Sequence, residues 1–343
     1  MIKLGMPIRL KATLIILGLV ALLALVGPFL VPVPPLETVS ATRLAEPGSQ
    51  FVQVASPEID ALSVHYKVQG EGEPHLLLLH GFGGSTFSWR EVLGALPGRT
   101  VAFDRPGFGL TERPLRGEWQ GDNPYSPAAQ VDLVVALMDE LGMDDAVLVG
   151  NSAGGTLALR VALAHPGRVA GLVLADAAVY EGGGAPNWIR PLLSTPQVNR
   201  LGPLVARQFG GEPGLDFLRS AYADPSKLTD ADLEGYQRWL EADNWDAALW
   251  ELIKASRTVN LTPQLGNVQM PTLVLTGQED TFVAPVQSEQ LAETLPNAAF
   301  VSLEGCGHLP QEECPEAFVE AVSSWLAQTE LAQAGAKEVT RLE

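Results

Sequence analysis

Basic residues are scarce in this chain: 22 Lys and Arg stand against 40 Asp and Glu, a formal net charge of −18 over 343 residues. So acidic a surface argues against nucleic acid and against anionic lipid headgroups as partners. It names no substrate, since acidic surfaces mostly keep proteins soluble. Cysteine is scarcer still, with only Cys306 and Cys314. Their spacing is not that of a metal site. They read as small packing residues, with a disulfide in an oxidising compartment as the alternative. No internal repeat is visible. Charged residues make up only 18% of the chain and hydrophobic ones 46%, which fits a globular protein with a sizeable core. The length suits one large domain or two modest ones.

One long apolar run departs from this pattern. Lys3, Arg9 and Lys11 precede an unbroken stretch from Ala12 to about Val31. That stretch can span a bilayer and is long for the core of a signal peptide. An uncleaved anchor is the preferred reading. Val39-Ser40-Ala41 offers a cleavage site, and hence a secreted protein, as the alternative. Positive charge before the span, with only Arg43 soon after it, predicts a cytoplasmic N-terminus and the remainder outside. Residues 1–31 thus read as a cytoplasmic stub and membrane helix, and residues 32–49 as a linker.

Beyond the linker, residues 51–56 and 62–68 alternate around Pro57-Glu58, a hairpin pattern. Apolar runs at 76–79, 100–103, 146–149, 169–174, 272–275 and 299–303 are those of strands buried on both faces. Helical spacing fills the intervals at 88–96, 127–141, 156–164, 286–295 and 315–326, with Ser126 before Pro127 as a helix start. This alternation predicts an α/β fold, a mostly parallel sheet with helices on both faces, over residues 50–179 and 263–328. Residues 180–262 break the alternation; they open on Gly182-Gly183-Gly184 and carry Trp188, Trp239, Trp245 and Trp250. They read as a helical lid over the sheet's C-terminal edge, where open α/β sheets bind ligands. Residues 329–343 form a tail.

Gly150-Asn151-Ser152-Ala153-Gly154 stands between a predicted strand and a predicted helix. A strand that turns at once into a helix strains its turn residue. Flanking glycines relieve the clash, and the serine hydroxyl projects over a helix N-terminus that favours developing negative charge. Such a serine needs a base in reach and an acid that orients the base. His308, on the glycine-flanked loop Glu304-Gly305-Cys306-Gly307 just past the last expected strand, is the candidate base. His65 and His75 read as surface or packing residues, His165 as a helix-end cap, and His80 as the start of a loop after a buried strand. Asp280, in Gly277-Gln278-Glu279-Asp280, is the expected acid, with Glu279 as the close alternative. Asp176, which ends the preceding strand, is a further position and otherwise reads as a loop cap. Two backbone donors must hold an oxyanion. The candidates are the N–H of Ala153, after the serine, and of Phe82, in His80-Gly81-Phe82-Gly83-Gly84.

Taken together these signatures resemble the α/β-hydrolase family. The matching segments are His80-Gly81-Phe82-Gly83, Asp104-Arg105-Pro106-Gly107-Phe108-Gly109, the Ser152 elbow, and the loops ending in Asp280 and His308. They follow in order over roughly residues 51–326. The resemblance implies an α/β-hydrolase fold with an eight-stranded, mostly parallel sheet and a helical lid after the sixth strand. It also implies a Ser152–Asp280–His308 triad that works without metal or cofactor. Ser152 stands where epoxide hydrolases and haloalkane dehalogenases carry aspartate, and the Phe82 loop lacks the His-Gly-Gly-Pro-Gly form of proline iminopeptidases. The Gly-Asn-Ser elbow is similar to that of carbon–carbon bond hydrolases of aromatic ring cleavage. The fold hosts many reactions. Hydrolysis of esters of apolar small molecules is the expectation, with carbon–carbon cleavage, peptidase or lactonase chemistry as alternatives. A non-catalytic, membrane-tethered binding module is the reading from a different class. Trp188, Trp239 and Trp245 of the lid are the expected substrate-binding residues.

Overall fold

In the computed structural model, which describes residues 8–180, 188–257, 260–329 and 331, four consecutive leucines at 76–79 show how the sheet is built. Side chains alternate across a strand. Leu77 and Leu79 therefore enter one core and Leu76 and Leu78 another. A strand apolar at every position is buried on both faces, and helices supply the cover.

The chain runs α1 (Ile8–Leu30), β1 (Gln50–Ser56), β2 (Ile59–Gln69), β3 (His75–Leu79), β4 (Arg99–Phe103), α2 (Pro127–Glu140), β5 (Ala146–Asn151), α3 (Ala153–Ala164) and β6 (Val169–Ala175). An insertion follows, with α4 (Arg190–Leu193), α5 (Pro196–Ala206), α6 (Glu212–Ser220), α7 (Asp230–Gln237) and α8 (Trp245–Ala255). The sheet then resumes with β7 (Thr272–Gly277), α9 (Pro285–Thr294), β8 (Ala298–Leu303), α10 (Pro310–Glu313) and α11 (Pro315–Gln328). One eight-stranded sheet has the order β1-β2-β4-β3-β5-β6-β7-β8. β2 is antiparallel to both β1 and β4, and the remaining pairs are parallel.

Ser126 caps α2 as expected, its hydroxyl accepting the Ala129 N–H at 3.2 Å with Pro127 in the first turn. Two expectations need correction. The segment 88–96 is a short 3₁₀ turn (Thr86–Trp89) followed by turns, not a helix. Its apolar spacing is real, since Trp89, Val92, Leu93 and Leu96 are buried. Gly94 in its middle and Pro97-Gly98 at its end leave too little chain to propagate an α-helix. The run 299–303 is not buried on both faces: β8 is the edge strand, and Ala299, Phe300 and Ser302 are exposed.

The insertion has its own core, in which Trp239, Trp245, Trp250 and Leu249 pack against Phe108 and Tyr125 of the main body. Its opening glycines at 182–184, like Lys3 and all of the tail after residue 331, lie outside the described residues. α1 is exposed, with a mean hydropathy of 2.6, and is long and apolar enough to cross a membrane. The insertion leans on its end: Arg200 Nη2 donates to Val31 O at 3.4 Å and Arg207 Nη1 to Pro34 O at 2.8 Å. The stretch 32–49, expected as a linker, is docked over part of its length. The Val39 N–H donates to Glu241 O at 2.9 Å, and Leu44 is buried with Leu110 and Ala242.

Cys306 and Cys314 are joined by a disulfide, with Cα atoms 6.1 Å apart. The packing reading gives way because the chain after β8 folds back through α10 and brings the two within bridging distance. The bridge closes the loop that carries His308.

Candidate active site

β5 ends at Asn151 and α3 begins at Ala153, so a single residue makes the turn. That residue, Ser152, has φ 54° and ψ −119°, a conformation costly for a non-glycine residue. Its neighbours hold it there. The Ser152 N–H donates to Ala175 O at 2.9 Å, and the Ala178 N–H donates to Ser152 O at 3.3 Å. A Cβ on Gly154 would stand 1.9 Å from Leu79 O, so only glycine lets α3 start this close to β3. Asn151 donates from Nδ2 to His308 O at 2.9 Å and Ala175 O at 3.3 Å, tying the histidine loop to the turn.

His308 follows β8, and Asp280 follows β7. Asp280 Oδ2 lies 2.7 Å from His308 Nδ1, and its Oδ1 accepts the N–H groups of Phe282 and Val283 at 2.7 and 3.1 Å. Glu279 turns away and accepts the Cys306 N–H at 3.0 Å. Asp176 is buried next to Asp280 and accepts the Thr276 hydroxyl at 2.7 Å. Of the three acids considered, the structure brings only Asp280 to the ring.

Burial first, and then the charge of Asp280, raise the Asp176 pKa well above its ordinary 3.8. A native pKa above the unfolded one means that the folded state binds the extra proton. Stability therefore falls as pH rises from the unfolded value. Asp176→Asn removes this titration. The melting temperature of the variant relative to wild type is expected to climb as the pH rises above the ordinary carboxylate value of about 4. A difference that stays flat in thermal denaturation across that range would contradict the burial of a proton at Asp176.

The loop after β3 passes directly against the turn. A Cβ on Gly81 would lie 3.1 Å from Asn151 Oδ1 and 3.3 Å from Ser152 Cβ. His80 pins this loop, its Nδ1 at 2.8 Å from Gly81 O and its Nε2 accepting the Arg105 N–H at 2.9 Å. Burial, assisted by Arg105, lowers the His80 pKa to about 4, so the ring is neutral. Behind it, Asp104 accepts the N–H groups of Thr86 and Leu110, both at 2.6 Å, and pairs with His65 Nδ1 at 2.6 Å. Burial alone would raise the Asp104 pKa, but His65 above all, with His80 and the Leu110 N–H, holds it well below the carboxylate range.

Ser152, His308 and Phe82 line one cavity, walled by Phe209, Phe217, Trp239 and Phe282. No Asp, Glu, Lys or Arg lines it among the described residues. Of the tryptophans expected to touch substrate, Trp239 lines the cavity. Trp245 packs behind Trp239 at 5.9 Å between ring centroids. Trp188 is 80% exposed and lines no described cavity. Reading tryptophans missed Phe209 and Phe217, which the glycine turn at 210–211 and the amphipathic α6 present to the site.

A second omission is the acidic pair after His308. Glu313 accepts the N–H groups of Gly307, Ala223 and Asp224 at 2.7, 2.9 and 2.8 Å. Buried Glu312 accepts from Tyr222 and Arg90. Together they weld the insertion to the histidine loop. Two carboxylates inside a Pro-bounded turn beside a candidate base were the available signal.

The fold agrees with known proteins. The family model described as alpha/beta hydrolase fold matches residues 74–315. A 2-hydroxy-6-oxo-6-phenylhexa-2,4-dienoate hydrolase of Burkholderia cepacia is 30% identical over 302 residues, covering 83% of this chain and 99% of that protein. Among solved structures, a thermophilic esterase from Thermogutta terrifontis is 26% identical, with a TM-score of 0.66 over 82% of this chain and 99% of its own. A bacterial membrane phospholipase A is also 26% identical, with a TM-score of 0.65 over 94% of this chain and 98% of its own. The last coverage is too large to be met without residues that precede β1.

Proposed function

The chain belongs to the alpha/beta hydrolase family, and we propose that it is a membrane-tethered serine hydrolase that cleaves acyl esters of apolar molecules. The observation that carries this reading is the buried Asp280–His308 pair, 2.7 Å apart, whose histidine lies with Ser152 in the wall of an aromatic cavity. Ser152 Oγ attacks the ester carbonyl carbon while His308 Nε2 takes the serine proton. Asp280 keeps the other ring proton on Nδ1 and stabilises the imidazolium that forms. The backbone N–H groups of Phe82 and Ala153 face the developing oxyanion. Collapse of the tetrahedral intermediate breaks the ester C–O bond, and the departing alkoxide takes the proton from His308. Water, deprotonated in turn by His308, hydrolyses the acyl-serine to the acid and restores the hydroxyl. Trp239, Phe209 and Phe217 hold the apolar acyl group.

Relatives named as dienoate hydrolases favour a second reading, cleavage of a carbon–carbon bond by the same three residues. The aromatic cavity offers the carboxylate of such a substrate no cationic side chain among the described residues, so that carboxylate would need the arginine-lined space on the other side of Phe82. A panel of p-nitrophenyl esters of graded acyl length, set beside a 2-hydroxy-6-oxo-dienoate, separates the two. Turnover of the dienoate but not of the esters would overturn the ester reading.

Several features support the membrane placement. Arg9 and Lys11 lie in the first turn of α1, ahead of its apolar run, and only Arg43 stands soon after the helix. The disulfide suits an oxidising compartment outside the cytoplasm. Exposed Val205 lies on α5, the helix of the insertion that packs against α1, as expected of a side chain in a membrane interface. The full-length protein is therefore expected in the membrane fraction after a carbonate wash. A variant lacking residues 1–36 keeps the contacts of Thr38 and Val39 with the insertion and is expected to be soluble and active. Full-length protein in the carbonate supernatant would contradict the anchor.

A further inference from the structure

A second and larger cavity lies on the other side of Phe82 and Phe282, which wall both. Ala153, the residue after Ser152, also lines it, so the two cavities flank the reacting centre. Their linings differ in kind. Arg105, Arg160 and Arg257 line the second cavity, and no Asp or Glu does so among the described residues. In a chain with 40 acidic and 22 basic residues, an all-cationic cavity stands against the general balance.

The three guanidinium groups are not equally free. Arg105 is buried, and its donors are spent on His80 O and Gln130 Oε1, so it supplies field rather than contact. Arg257 is exposed, and its Nη1 sits on the carbonyls that end α8. Arg160, on α3, is half-buried and makes no hydrogen bond or ion pair with any described residue. Burial lowers the pKa of Arg160, and that of Arg105 to about 10; among the described residues no carboxylate lines the cavity to offset this cost. An anion would.

We infer that this cavity is the leaving-group subsite, and that it takes the phosphate of an alcohol esterified to the acyl chain, with Arg160 as its principal ligand. The inference rests on the ester reading above. The acyl chain occupies the aromatic cavity and the phosphate-bearing alcohol the cationic one, with the scissile carbonyl between them at Ser152. The chemistry is unchanged: the alkoxide leaves with the proton from His308, and the phosphate stays on the alcohol. Phosphate fits a guanidinium through paired N–H···O bonds. An anchored enzyme whose insertion leans on the membrane span also meets such esters in the bilayer. The net acidity that argues against anionic headgroups describes the whole surface; this cavity is the local exception.

The test uses full-length protein in nanodiscs and two substrates of equal acyl length, a 1-acylglycerol 3-phosphate and the corresponding 1-acylglycerol. The phosphorylated ester is expected to have a kcat/KM at least about tenfold higher, the size of one charged hydrogen bond. Arg160→Gln is expected to bring that ratio close to one. Because a folding defect would lower both rates, the ratio and not the rate is decisive. As a measurement independent of turnover, calorimetric binding of sn-glycerol 3-phosphate to Ser152→Ala protein is expected, and is expected to be lost in Ser152→Ala, Arg160→Gln. No preference for the phosphorylated ester, or a preference that survives Arg160→Gln, overturns the subsite. So does inhibition of the neutral ester by inorganic phosphate without any preference between the esters, which would mark a site for free anion. Failure of both esters while the dienoate is turned over sinks the ester reading itself, a distinguishable result.

Discussion

Ser152→Ala is expected to abolish hydrolysis of a short p-nitrophenyl ester, with a loss in turnover of about 10⁶-fold, the size seen when a nucleophile is removed from a unit that acts together. The expectation starts from backbone geometry. Ser152 alone joins β5 to α3, at φ 54°, and Gly154 and Gly81 let the flanking chain close on it. A protein keeps so costly a conformation when the turn aims a side chain. The methyl group of alanine occupies the same turn without strain beyond that already present, so the fold survives and only the hydroxyl is lost. Initial rates on freshly purified, folded variant decide the matter. Retention of a tenth of wild-type activity would remove Ser152 from the reaction.

Asp280→Asn is expected to cost about 10⁴-fold, with Ser152 and His308 both present. Asp280 accepts from His308 Nδ1 and is itself held by the Phe282 and Val283 N–H groups. An asparagine amide at that point presents a donor to Nδ1. The ring then carries its proton on Nε2, where it can no longer take the serine proton. Asp176→Asn serves as the comparison. Asp176 is as deeply buried and lies next to Asp280, yet it bonds Thr276 and Gly277 and not the ring. Burial raises its pKa, so the uncharged amide follows the direction in which the fold already pushes it. Asp280→Asn should therefore be the far more damaging change. Greater damage from Asp176→Asn would move the orienting acid to the end of β6.

How much of this was readable in the chain depended on what kind of physics fixed each feature. Strands whose residues are apolar at every position, such as β3 and β5, announce burial on both faces in one dimension. The turn at Ser152 is equally local, because glycines two positions away on each side permit it. His308 and Asp280 were reachable because each follows a strand at the same sheet edge. What escaped depends on contacts between distant segments. The exposure of β8 follows from its place at the sheet's edge, which its own residues do not encode. The disulfide depends on how α10 folds the chain back. Phe209 and Phe217 reach the cavity through packing on Phe82 and Phe282, within an insertion that Glu312 and Glu313 tie to the histidine loop. Trp188 looks like any other tryptophan of the insertion until its exposure is seen.

The most direct measurement is covalent capture of the nucleophile. A fluorophosphonate reacts with a serine only when a neighbouring base activates it. The account predicts one adduct per chain, located by peptide mass spectrometry on Ser152, and labelling slowed by orders of magnitude in His308→Ala. Failure of the folded protein to label, labelling on another residue, or undiminished labelling in His308→Ala would contradict it.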